Sequence, residues 1–145
     1  MNLKENTNLV FQQVSKAVRE AGREDGSVSV VAVTKYVDSE TAGQLVQQGV
    51  KHIGENRVDK FLDKYHALSD KDITWHLIGS LQRRKVKDII SYVDYFHALD
   101  SLKLAQEIQK RSNRKIKCFL QVNISGEESK HGFSKEELIQ ILPDL

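Results

Sequence analysis

The chain has 145 residues, 39% of them apolar and 29% charged, which is the make-up of one ordinary folded domain and not of a disordered segment. A net charge of +2 gives no electrostatic reason for a nucleic-acid partner, and no apolar run reaches the length that spans a bilayer. The stretch Met1-Asn2-Leu3-Lys4-Glu5-Asn6 has no apolar core of a secretory signal, and the single cysteine, Cys118, has no partner for an internal disulfide, so the expected compartment is the cytoplasm.

In chain order, Lys4 to Gly22 places Leu9, Val10, Val14, Ala17 and Val18 near helical spacing and predicts an amphipathic helix ended by Gly22. After the polar turn Arg23 to Gly26 comes a short valine-rich run, Val28 to Val33. It predicts a strand buried on both faces, with Lys35 at its C-terminal end. Asp38 or Ser39 caps a second helix that carries Ala42, Leu45 and Val46, and Gly49 ends it. Val50 to Gly54 predicts a second strand, and Glu55 to Leu68 a helix with Val58, Phe61, Leu62 and Tyr65 on one face. Ile73 to Gly79 predicts a third strand, Ser80 to Ile90 a helix with a basic side, and Tyr92 to Ala98 a fourth strand. Asp100 or Ser101 caps the next helix, whose last turn holds Lys110 and Arg111, cations suited to the negative end of a helix dipole. Lys117 to Ile124 predicts a fifth strand, and Ser134-Lys135-Glu136-Glu137 a capping box that opens a last helix. Ile116, Phe119 and Leu120 around Cys118 predict a buried structural thiol.

Alternating strands and helices imply a parallel sheet, either an open doubly wound sheet or part of a (β/α)8 barrel. A whole barrel takes roughly 200 residues or more. Residues 1–145 supply about five strand–helix units, so the barrel reading is of an N-terminal part, cut short at its C-terminus. Polar clusters fall at the predicted strand ends: Thr34-Lys35-Tyr36, Gly54-Glu55-Asn56-Arg57, His76 with Gly79-Ser80, and Asn123 with Ser125-Gly126. In a parallel α/β fold these ends converge on the face that binds ligands. Taken singly, each has a plain structural role. Lys35 can snorkel to solvent, Asn56 can cap a helix, Glu55 can be a solvated helix-start carboxylate, His76 can be a core histidine and Asn123 a turn residue. A lysine desolvated at a barrel mouth can instead form a Schiff base. No metal site is expected, because the five histidines lack ligand spacing and no CxxC occurs. No Walker A loop or GxGxxG is present. Arg83-Arg84-Lys85 and Arg114-Lys115-Ile116-Lys117 lack interleaved aromatics and read as solvated faces.

Four segments occur in order: Val31-Ala32-Val33-Thr34-Lys35, Gly54-Glu55-Asn56-Arg57-Val58, Trp75-His76-Leu77-Ile78-Gly79-Ser80-Leu81-Gln82, and Gln121-Val122-Asn123-Ile124 with Lys130 and Gly132. Together they resemble the pyridoxal phosphate homeostasis protein family, also called the proline-synthase co-transcribed family, over essentially the whole chain. The resemblance implies a barrel like the N-terminal domain of alanine racemase, with pyridoxal 5′-phosphate (PLP) as cofactor. It places the Schiff-base lysine on Lys35 and a cofactor-side asparagine on Asn56, with His76 and Asn123 at or near the pocket. The implied role is to hold PLP within vitamin B6 and amino-acid balance, as a carrier rather than an established catalyst. PLP-dependent apo-enzymes are the implied recipients. Two departures stand out. Arg83-Arg84-Lys85 replaces the family's small residue, asparagine and lysine after Leu81-Gln82. Family members also run on for roughly three further units that hold the phosphate cradle, so a shortened chain is expected to bind PLP weakly or not at all. Rival readings are an amino-acid racemase or decarboxylase, a Schiff-base aldolase, a chain that binds no cofactor, and an interaction module that self-associates through exposed sheet edges.

Overall fold

A computed structural model describes residues 2–145. Helix α1, Leu3–Glu20, opens on a capping box in which the Asn2 side chain accepts the Glu5 N–H and Glu5 accepts the Asn2 N–H. It stops at Gly22, whose φ of +70° suits glycine. Its inward face runs Leu3, Thr7, Phe11, Val14, Val18. The expected apolar residues Leu9 and Val10 stay exposed. Thr7 is tolerated inside because its hydroxyl donates to Leu3 O at 2.8 Å.

There follow β1 (Val31–Val33), α2 (Ser39–Gln47), β2 (His52–Glu55), α3 (Val58–Ala67) and β3 (Thr74–Leu77). The segment read as one basic helix is broken. A 3-10 turn, Arg83–Lys85, leads into the single turn α4, Val86–Ile89, and a second 3-10 turn, Ile90–Tyr92. Then come β4 (Tyr95–Leu99), α5 (Leu102–Arg111), β5 (Lys117–Leu120) and α6 (Lys135–Ile141). Side chains cap the helices as their sequence implies: Asp38 accepts the Thr41 N–H, Ser101 that of Leu104 and Ser134 that of Glu137.

The five strands pair in parallel, in the order β1-β2-β3-β4-β5. That order decides the architecture. A doubly wound sheet reverses its strand order at a switch point, whereas consecutive strands laid side by side are the staves of a (β/α) barrel. Register sets Val33, Gly54, His76, Tyr95 and Lys117 in one row. Alternation turns Ile53, Glu55, Trp75, Leu77, Phe96 and Ala98 to the opposite face, where the helices bury them. Phe61, Val86, Ile89, Ile90, Leu104 and Ile108 complete that core. Burying an aliphatic or aromatic side chain of this size contributes about 1.5–3 kcal/mol.

Two expectations about burial fail, for one reason. β1 is three residues long and not buried on both faces, since Val33 is 55% exposed. Cys118 is exposed rather than a buried thiol. β1 and β5 are the two edges of the sheet, and an edge strand lacks one neighbour to exclude water. Cys118 lines an open groove of about 1130 Å³ between α5 and β5, together with Leu99, Ile108, Ile116 and Leu120.

Candidate functional site

Parallel pairing brings every strand's C-terminal end to one side of the sheet. At the end of β1, Thr34 still belongs to the ladder, donating its N–H to Gly54 O at 3.1 Å. Thr34 is fully buried and Lys35, the next residue, is exposed. Lys35 follows in an exposed turn that the Val37 N–H closes on Thr34 O at 3.1 Å. Its Nζ lies 5.1 Å from the centre of the exposed Tyr36 ring. It makes no hydrogen bond or ion pair among the described residues.

The end of β2 repeats the pattern. Glu55 is fully buried and is not the solvated carboxylate that its place before a helix allows. It pairs with Lys64 of α3 at 2.9 Å, and the Thr34 hydroxyl donates to the same Glu55 oxygen. The next residue, Asn56, is half-buried. It does not cap α3, because the N-cap is Arg57, which makes no side-chain capping bond. Gly79, past the end of β3, packs against Asn56 so closely that a Cβ there would lie 2.2 Å from Asn56 O. Only glycine permits that approach.

On the open face three histidines form a row across β2, β3 and β4. His52 Nδ1 lies 3.0 Å from His76 Nε2, and His76 Nδ1 lies 2.8 Å from His97 Nε2. Tyr95 stacks on the His76 ring at 4.7 Å with a 6° tilt. Burial, then the neighbouring His97 and His52, push His76 down to about 4, against a smaller opposing pull from Asp94. Burial also lowers His97. His76 is therefore neutral at neutral pH, with one nitrogen donating and the other accepting. With both nitrogens engaged, its ring is a wall and not a hydrogen-bonding arm. The nitrogens sit too close for a metal between them, and no group of three or more metal-ligating side chains occurs among the described residues.

Asn123 lies past β5, at the far edge from Lys35. Its amide organises its own loop: Nδ2 donates to Glu127 O at 2.7 Å, and Oδ1 accepts from Gly126 N at 3.1 Å. Gly132, at φ +128°, closes the loop where a Cβ would meet Asn123 N. The fold thus brings Lys35 and Asn56 to adjacent strand ends, sets His76 on the open face, and leaves Asn123 apart. His52, His97 and Lys64 escaped the sequence reading. Strand register would have aligned His52 with its neighbours only after the pairing was known, and Lys64 reads as a solvated helix cation until Glu55 is seen beneath it.

A five-stranded parallel α/β sheet in barrel order, with an amine at the end of its first strand, defines the class. The family model "Alanine racemase, N-terminal domain" matches residues 10–145, and the chain belongs to that family. Among similar curated proteins are the pyridoxal phosphate homeostasis protein of Aquifex aeolicus, 40% identical over 97% of this chain and 63% of that relative, and that of Helicobacter pylori strain 26695, 34% identical over 100% and 67%. Among solved structures, PipY of Synechococcus elongatus with PLP bound is similar at a TM-score of 0.77, with 30% identity over 88% of this chain and 61% of that one. An unknown protein from Bifidobacterium adolescentis is similar at 0.83, with 32% identity over 95% and 61%. The chain spans 61% to 67% of the length of these relatives. No helix among the described residues is long and apolar enough to cross a membrane.

Proposed function

We propose that this chain handles pyridoxal 5′-phosphate in the cytoplasm, with Lys35 as the Schiff-base lysine, and serves PLP and amino-acid balance by yielding the cofactor to PLP-dependent apo-enzymes. The observation that carries this is the Lys35 amine. It is exposed, unpaired among the described residues and one residue past a fully buried anchor, on the strand end beside Asn56. When bound, PLP supplies an aldehyde that condenses with a primary amine. The donor set fits that chemistry. Lys35 offers the amine, Asn56 an amide that no helix cap consumes, and His76 a neutral, flat wall backed by Tyr95. Lys35 binds, Asn56 orients, and His76 bounds the open face without contributing a charge. The exposure of Lys35 keeps it within reach of a second amine, which hand-over requires.

Titration of the chain with PLP tests the reading. A weak absorbance band above that of free PLP is expected, lost in Lys35→Ala and removed from the wild type by an added amino acid. A Lys35→Ala chain with the same band would overturn it.

A further inference from the structure

Buried ion pairs are costly to assemble, because desolvating both charges offsets most of their attraction. Glu55 and Lys64 form such a pair, at 0% and 5% side-chain exposure. Its cost is not fully recovered, since Glu55 Oε1 has no partner among the described residues. Lys64 lies on α3 beside the buried Phe61, and Glu55 on β2 beside the buried Gly54 and Ile53. The pair therefore calls for a reason beyond folding energy.

Its contacts supply one. Lys64 Nζ reaches past Glu55 and donates to Thr34 O at 2.8 Å. That oxygen belongs to the peptide that joins Thr34 to Lys35. It also accepts the Val37 N–H at 3.1 Å, which closes the turn containing Lys35 and Tyr36. Glu55 takes the Thr34 hydroxyl on the oxygen that Lys64 holds. Its own carbonyl, in the peptide leading to Asn56, accepts the Ile78 N–H at 2.9 Å. One ammonium, hidden behind the sheet, thus clamps the peptide that launches Lys35, and the carboxylate that holds it belongs to the residue whose own carbonyl precedes Asn56.

We propose that Glu55 and Lys64 are positioning residues, which set the direction of the Lys35 amine without touching a ligand. The consequence for PLP rests on the proposed function, but the clamp itself does not. A misplacement near 1 Å at a reacting amine costs on the order of a hundredfold in rate. Loosening the clamp should therefore slow capture at Lys35 while the rest of the fold holds.

The test compares wild type with Glu55→Gln/Lys64→Met, which removes both charges at similar volume, and with Thr34→Val, which removes only the hydroxyl. Amide hydrogen exchange is read residue by residue, alongside the rate at which borohydride fixes PLP to Lys35. The double variant should exchange faster at Thr34 and Val37, whose N–H groups bond at the clamped turn, while α1 and α5 keep their protection. Capture should fall by roughly ten- to a hundredfold, with a smaller change in Thr34→Val. Uniformly faster exchange, or none at Thr34 and Val37, would reduce the pair to a structural role and overturn the proposal. A wild-type chain that fixes no PLP at Lys35 would sink the proposed function, while the exchange pattern would still decide the clamp.

Discussion

The two faces of the sheet solve the problem of polar groups in opposite ways. Behind the strands, under α3, full charges are buried and matched: Glu55 against Lys64, with Thr34 between them. In front, no charge is buried. The polar groups there are His52, His76 and His97, joined ring to ring, with the middle one neutral. The back face fixes backbone, because ionic hydrogen bonds in a dry core are strong and directional. The front face buries no charge and carries exposed amines only at its edges, Lys117 held to the Tyr95 hydroxyl at 3.3 Å and Lys35 without a hydrogen-bond partner among the described residues. The buried anchor Thr34 and the exposed amine Lys35 are one residue apart in sequence.

The largest effect is expected behind the sheet. Lys64→Ala strands the Glu55 carboxylate in the core and should cost about 3–5 kcal/mol in urea unfolding. A loss below about 1 kcal/mol would mean that the pair is effectively solvated. Next is the rim between the faces. Gly79→Ala forces a Cβ into Asn56 O and should cost about 1–3 kcal/mol by the same measurement, with faster amide exchange at Asn56. Acid acts on the front face. His76 takes its proton near pH 4 in the fold but near its ordinary 6.5 when unfolded. Between those values the unfolded chain binds more protons, so its contribution is complete above pH 6.5 and is lost as pH falls toward 4. His76→Gln should flatten that acid limb of stability against pH. The smallest effect is expected at the exposed rim, where Lys35→Ala and Tyr36→Ala should each change stability by less than about 0.5 kcal/mol.

Much of this was readable from residue order. Helical spacing and capping residues located the helices, and alternation of strand and helix implied the parallel sheet. Lys35, Asn56, His76 and Asn123 fall in clusters at predicted strand ends; Lys35, Asn56 and Asn123 lie past the ends of β1, β2 and β5, and His76 lies within β3. What escaped depended on pairing. Val28 to Val33 looked like a fully buried strand because a valine run carries no mark of lying at an edge. Cys118 looked buried for the same reason. The histidine row and the Glu55–Lys64 pair join residues 9 to 24 positions apart, and only register and the packing of α3 bring them together. The broken helix at Arg83–Tyr92 shows tertiary packing of Val86, Ile89 and Ile90 overriding a helical pattern.

The most direct measurement is a peptide map of the chain after incubation with PLP and reduction by borohydride. The chain has 15 lysines, many of them exposed, so nonspecific labelling would spread over several peptides. The expected result is one dominant modified residue, Lys35, at substoichiometric PLP, with Asn56→Ala lowering its yield. A label distributed among surface lysines such as Lys115 and Lys117, with Lys35 no more reactive than they are, would contradict the assignment of Lys35 as the amine that holds the cofactor.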